Sequence, residues 1–104
     1  MTSLADVLRE AAAGVASPVE PTAGPDGSVG YERGERLFAI LEADGDAASF
    51  RLAEAVAAAA LRTPDTSASD QGRGWVTLRP ATLDGHARDR AVAWFESAWR
   101  AAAD

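Results

Sequence analysis

Alanine fills 25 of the 104 positions, and that excess limits the core more than any other feature of the chain. A methyl group covers little area, so cohesion falls to the 24 larger apolar residues: eight Leu, seven Val, three Phe, three Trp, one Ile, one Met and one Tyr. A chain this short buries about 60–65% of its unfolded surface, so every large anchor matters. The length suits one small domain spanning residues 1–104.

Charge and missing residue types narrow the chemistry. Ten basic against sixteen acidic residues leave a net charge of -6. Nucleic-acid-binding domains usually carry a basic surplus or a basic stripe, because phosphate neutralisation supplies much of their affinity. All ten basic residues are Arg, so a Schiff-base lysine and a Walker-type phosphate loop are both excluded. With no Cys there is no disulfide scaffold, no thiolate nucleophile and no Cys-based zinc or iron–sulfur site. No apolar run approaches the roughly 20 residues of a membrane span, and the N-terminus lacks a signal-peptide pattern. The expectation is a cytoplasmic protein that needs no membrane.

Hydrophobic periodicity lays out the elements. Ser3 and Asp6 have the spacing of a capping box, and Leu4, Val7, Leu8, Ala11, Ala12 and Val15 form one helical stripe that Pro18 should end. Residues 17–28 read as a Pro/Gly-rich connector. Val29 and Tyr31 alternate as in a strand, Arg33-Gly34-Glu35 reads as a turn, and Leu37–Leu41 is apolar on both faces. Asp44-Gly45-Asp46 is a second turn, and Ser49–Leu52 returns to alternation with Phe50 and Leu52 inward. Glu54–Arg62 predicts a short Ala-rich helix anchored by Val56 and Leu61. Residues 63–74 read as a polar loop and Trp75–Arg79 as a further strand. In the last helix Asp84 can cap, Ala87, Ala91, Trp94, Phe95, Ala98 and Ala102 share a face, and Glu96 can pair with Arg100. The expected fold is α+β: a two-layer α/β sandwich, antiparallel sheet with helices on one side, order α-β-β-β-α-β-(β)-α.

Candidate chemistry is sparse. His86 is the single imidazole, beside Gly85 near a helix start, where a surface or capping role suits it. No Gly-x-Ser-x-Gly elbow is present, and Asp44 and Asp46 lack the later ligands of a calcium loop, which leaves a hairpin turn. Asp65, Asp70 and His86 are the residues a hydrolytic or metal-handling reading would use. No motif predicts a catalytic residue, a metal site or a cofactor. Arg33, Arg36, Arg73 and Trp75 are the candidate contacts for a ligand or a nucleic acid, since arginine grips phosphate or carboxylate bidentately and an exposed Trp stacks a base. The competing expectation pairs Arg33 and Arg36 with Glu32 and Glu35 on a solvated surface.

Three stretches in order resemble the MmcQ/YjbR-like family. Arg36-Leu37-Phe38-Ala39-Ile40-Leu41 is similar to its "K-x-F-A" strand, and Ser49-Phe50-Arg51-Leu52 with the acidic-started helix after it is similar to its next strand and helix. Gly74-Trp75-Val76-Thr77-Leu78, followed by the helix bearing Trp94-Phe95-Glu96-Ser97-Ala98-Trp99-Arg100, resembles its C-terminal region. The resemblance covers roughly residues 29–102 and implies a CyaY-like, secretion-chaperone-like α/β sandwich with no general enzymatic reaction. It also implies a "double wing" DNA-binding-like motif, whose matching positions would be the Arg33–Arg36 hairpin and the Gly72–Trp75 approach. A truncated middle segment, the absence of Lys and the net acidity depart from that pattern. The leading expectation is a small non-enzymatic binding module for a protein or small ligand, using a sheet face or edge. The alternative is a DNA-binding protein with arginine-bearing hairpin tips, binding weakly at physiological salt.

Overall fold

The computed structural model describes residues 3–16 and 19–103. The first helix, α1 (Leu4–Gly14), opens with both halves of the capping box. The Ser3 hydroxyl accepts the Asp6 N–H at 3.2 Å, and the Asp6 carboxylate accepts the Ser3 N–H at 3.1 Å. The Ser3 backbone donor, then its side chain, hold the Asp6 carboxyl below its ordinary range. Leu4, Val7, Leu8, Ala11 and Ala12 are buried, as the stripe requires. Pro18, expected to end this helix, lies outside the described residues; the helix ends at Gly14.

Six strands follow: β1 (Pro21–Ala23), β2 (Val29–Arg33), β3 (Arg36–Leu41), β4 (Ala48–Arg51), β5 (Thr66–Ala68) and β6 (Trp75–Leu78). Their order is β1-β2-β3-β4-β6-β5, and every neighbouring pair is antiparallel. The meander of β2, β3 and β4 matches the alternation in the sequence. Gly34 (φ +64°) and Gly45 (φ +76°) supply the left-handed backbone its two turns need.

The edges depart from expectation. The connector at 17–28 contains β1, and the polar loop at 63–74 contains β5. The observed order is therefore α-β-β-β-β-α-β-β-α, with the additional strand before β6 rather than after it. Each border strand has three residues and joins through backbone pairing to a stronger neighbour, which leaves no apolar alternation to read.

A register shift between Tyr31 and Glu32 inserts one extra residue on β3. The bulge turns Phe38 and Ala39 toward the helices together, while Leu37 and Ile40 face away. On the helix side α3 (Gly85–Ala101) supplies the centre of the core. Phe95 meets Tyr31 and Phe38 edge-on, each at 5.2 Å between centroids, and Trp94 meets Phe50 at 6.3 Å. Burial pushes the Tyr31 hydroxyl pKa up. All six residues of the predicted α3 stripe are buried, and Asp84 caps the helix through a 2.9 Å bond from the Ala87 N–H. The expected Glu96–Arg100 pair is not formed.

The remaining helix, α2 (Glu54–Ala60), corrects one anchor. Ala57 and Ala60 enter the shared core, whereas Leu61, expected to hold this helix down, is 42% exposed. A close-lying helix built on methyl groups leaves the larger side chain one position past its end on the outside.

Candidate binding face

The sheet presents two unlike faces. Val29, Tyr31, Phe38, Ala39, Leu41, Ala48, Phe50, Val76 and Leu78 join α1, α2 and α3 in one apolar cluster. Alternation turns Gly30, Glu32, Leu37, Ile40, Ser49, Arg51, Trp75 and Thr77 to the opposite face. Leu37, Ile40 and Trp75 stand outside the main cluster, and no described helix covers them.

This face has a structured floor. Ser49 is fully buried and shares a 2.8 Å hydroxyl bond with Thr77 across the β4–β6 pair, with the Glu42 carboxylate 3.4 Å away as a further acceptor. Gly30 lacks a side chain where one is needed least: a Cβ there would lie 3.0 Å from the Leu37 Cδ1. Leu37 therefore lies over the β2 backbone. Leu37, Ile40, Gly30, Pro25 and Glu32 line a shallow, mainly apolar concavity of about 220 Å³.

Two charges stand near this end of the sheet. Glu32 is the register partner of Leu37 on β2, and Arg51 on β4 lies one residue past the Ala39–Phe50 pair, bordering a concavity with Phe38, Leu52, Ala98 and Ala102. Both are exposed, and neither has a hydrogen bond or ion pair among the described residues. Arg51 is also the register partner of Trp75, so guanidinium and half-buried indole are neighbours on one face.

The four residues singled out from sequence gather at one end of the sheet, where β2 and β4 finish and β3 and β6 begin. Their environments differ. Arg36 is exposed opposite Arg33 in the hairpin register. Arg73 meets Glu54 at 3.4 Å with both side chains almost fully exposed, a weak contact. Trp75 lies beside Gly72, whose backbone (φ +135°) turns the chain into β6. Arg33 is not a free tip at all. Its guanidinium lies 3.7 Å from the Trp99 ring centroid, and its Nη1 donates to the Trp99 carbonyl at 2.9 Å. That carbonyl is one of the last of α3, without an acceptor role inside the helix, so a cation there is doubly favoured. Glu32 and Glu35 take no part, contrary to the solvated-pair expectation for Arg33. Sequence reasoning missed Arg51, whose signal was its place after inward-facing Phe50.

The carboxylates and His86 form no comparable site. Asp65, Asp84, His86 and Arg90 do line one concavity of about 460 Å³, but Asp70 is not part of it. Asp65 accepts the Ala81 N–H, Asp84 caps α3, and Arg90 donates to the Pro64 carbonyl at 2.6 Å. These polar groups already serve the backbone. Asp44 acts in its turn, where the Asp46 N–H and then Arg79 lower its carboxyl pKa. Among the described residues no three metal-binding side chains converge, and no helix is long and apolar enough to cross a membrane.

No family model, curated protein or solved structure matches this chain.

Proposed function

We propose that this chain is a small non-enzymatic binding module, of the MmcQ/YjbR-like kind its motifs resemble, and that it engages protein through the uncovered sheet face. One observation carries the reading. The face opposite the helices combines an apolar strip of Leu37, Ile40 and Trp75 with exposed, unpaired Glu32 and Arg51. A rigid hydrogen-bonded floor with apolar contacts and a few exposed charges suits protein recognition, where aromatic and Arg residues are enriched. The test is a photo-reactive benzoylphenylalanine at position 75, compared with the same group at position 61 on the helical side. Irradiation in cells should give discrete adducts from position 75 and few from position 61. Equal yields, or none from position 75, would overturn the reading.

Nucleic-acid binding is a second reading, supported by the gathering of Arg33, Arg36, Arg51 and Arg73 at one end of the sheet. It predicts anisotropy with a labelled oligonucleotide at about 50 mM salt that collapses by about 200 mM. The engagement of Arg33 by Trp99 and the net charge of -6 weigh toward the protein reading.

A further inference from the structure

We infer that the protein holds a small monocarboxylate with an apolar body in a cavity beside the last turn of α3. The cavity measures about 270 Å³, and its lining includes Phe38, Arg51, Leu52, Ala98, Ala101 and Ala102. Its origin is the alanine content of the chain. Farther back along α3, Trp94 and Phe95 reach Phe50, Tyr31 and Phe38 and fill the space between helix and sheet. One turn later the helix brings only methyl groups to the wall, so the space beyond the Phe38 ring stays open. Phe38, Leu52, Ala98 and Ala102 are each at most 8% exposed, so the cavity reaches into the core. Apolar walls of this kind favour an apolar occupant over water.

One charge selects the class of occupant. Arg51 is the single charged side chain among the described residues that line the cavity. It is the last residue of β4, exposed at the end of the sheet, with no hydrogen bond or ion pair among the described residues. Arg33 is the useful contrast. Its guanidinium is engaged by the Trp99 ring and carbonyl, so the end of α3 already has a cation and the donors of Arg51 remain for another acceptor. A guanidinium fork matches a carboxylate bidentately. The helix end then decides between anions. The last carbonyls of α3 carry partial negative charge, which opposes a dianion more strongly than a singly charged group. A phosphate ester is therefore disfavoured. A carboxylate places its charge on Arg51 at the mouth and lays an aryl or branched alkyl body against Phe38 and Leu52. This site lies apart from the strip of Leu37, Ile40 and Trp75 and needs no protein partner.

Phenylacetate, titrated into isotope-labelled protein and followed by amide NMR, tests the site. Phenylacetamide serves as its neutral counterpart and phenyl phosphate as the more highly charged one. Phenylacetate should give saturable shifts centred on Phe38, Leu52, Ala98 and Ala102, with a Kd on the order of 1 mM for so small a ligand. Its ring protons should show nuclear Overhauser contacts with the Leu52 and Ala98 methyl groups. Phenylacetamide and phenyl phosphate should each bind at least about fivefold more weakly. Arg51→Gln should weaken phenylacetate at least about tenfold, with an otherwise unchanged spectrum showing that this exposed-site variant folds. No saturable shift at about 20 mM phenylacetate overturns the site. Contacts with Leu37 and Ile40 in place of Leu52 and Ala98 overturn the cavity as its place. Indifference to Arg51→Gln, or equal or tighter binding of the amide or the phosphate, overturns the monocarboxylate. The position-75 adducts judge the protein-binding reading separately.

Discussion

Strand β3 shows two ways of burying a side chain within six residues. Toward the helices, Phe38, Ala39 and Leu41 are buried in the cluster shared with the helices, and Phe38 meets Phe95 edge-on at 5.2 Å. Away from them, Ile40 is only 9% exposed although no helix covers it. The difference is what does the covering. One face is closed by aromatic residues arriving from far along the chain, the other by neighbouring side chains and a hydroxyl pair in the sheet itself. The first kind of burial holds the fold together, and the second leaves a surface that a partner can still use.

The comparison is sharpest at Phe95. Phe95→Ala removes the ring that Tyr31 and Phe38 share and should cost about 3–5 kcal/mol, much of the stability of so small a chain. A denaturant midpoint near wild type would mean the helix face is not the stabilising one. Ile40→Ala should cost less, about 2 kcal/mol, because its surroundings can collapse toward solvent. If its cost equals that of Phe95→Ala, the two faces are energetically alike and the contrast fails. Arg33→Gln should lose about 1–2 kcal/mol through its contacts with the Trp99 ring and the α3 terminus, whereas Arg73→Gln should lose under about 0.5 kcal/mol. Equal small losses in thermal or chemical unfolding would return Arg33 to the status of a surface solubiliser. The smallest effect concerns acid. Asp6, Asp26 and Asp44 all have carboxyl pKa values lowered from 3.8, so their contribution is present above that pH and is lost as pH falls through the lower folded values. Asp44→Asn should flatten part of the acid limb of a stability–pH curve and lower stability slightly at pH 7, where the ionised carboxylate pairs with Arg79.

Much of this architecture was legible where large apolar residues recur with a helical or strand period. The α3 stripe is the clearest case, because Trp94 and Phe95 mark its inner face and the alanines at three- and four-residue spacings continue it. The meander was legible from alternation and from glycine-centred turns. In α2 the same logic failed at Leu61, since a helix held by Ala57 and Ala60 offers no large residue to phase the pattern. The edge strands were invisible because their reason for existing is a neighbour's unpaired backbone, not their own side chains. At the candidate face, Arg33, Arg36, Arg73 and Trp75 were visible as residue types near turns. The stacking of Arg33 on Trp99 spans 66 positions and has no local signature. The pairing of Glu32 with Leu37 depends on a bulge in the β2–β3 register, which no sequence window contains.

The three-residue borders have a consequence for assembly at high concentration. A long, flat edge invites strand after strand to add in the plane of the sheet, which is the geometry of fibre growth. Here β1 begins with Pro21, which has no N–H to offer, and β5 stops after Ala68. Lateral propagation would have to start from a template too short to hold an incoming strand. Concentrating this protein should therefore yield no thioflavin-positive filaments, even though its sheet carries six strands.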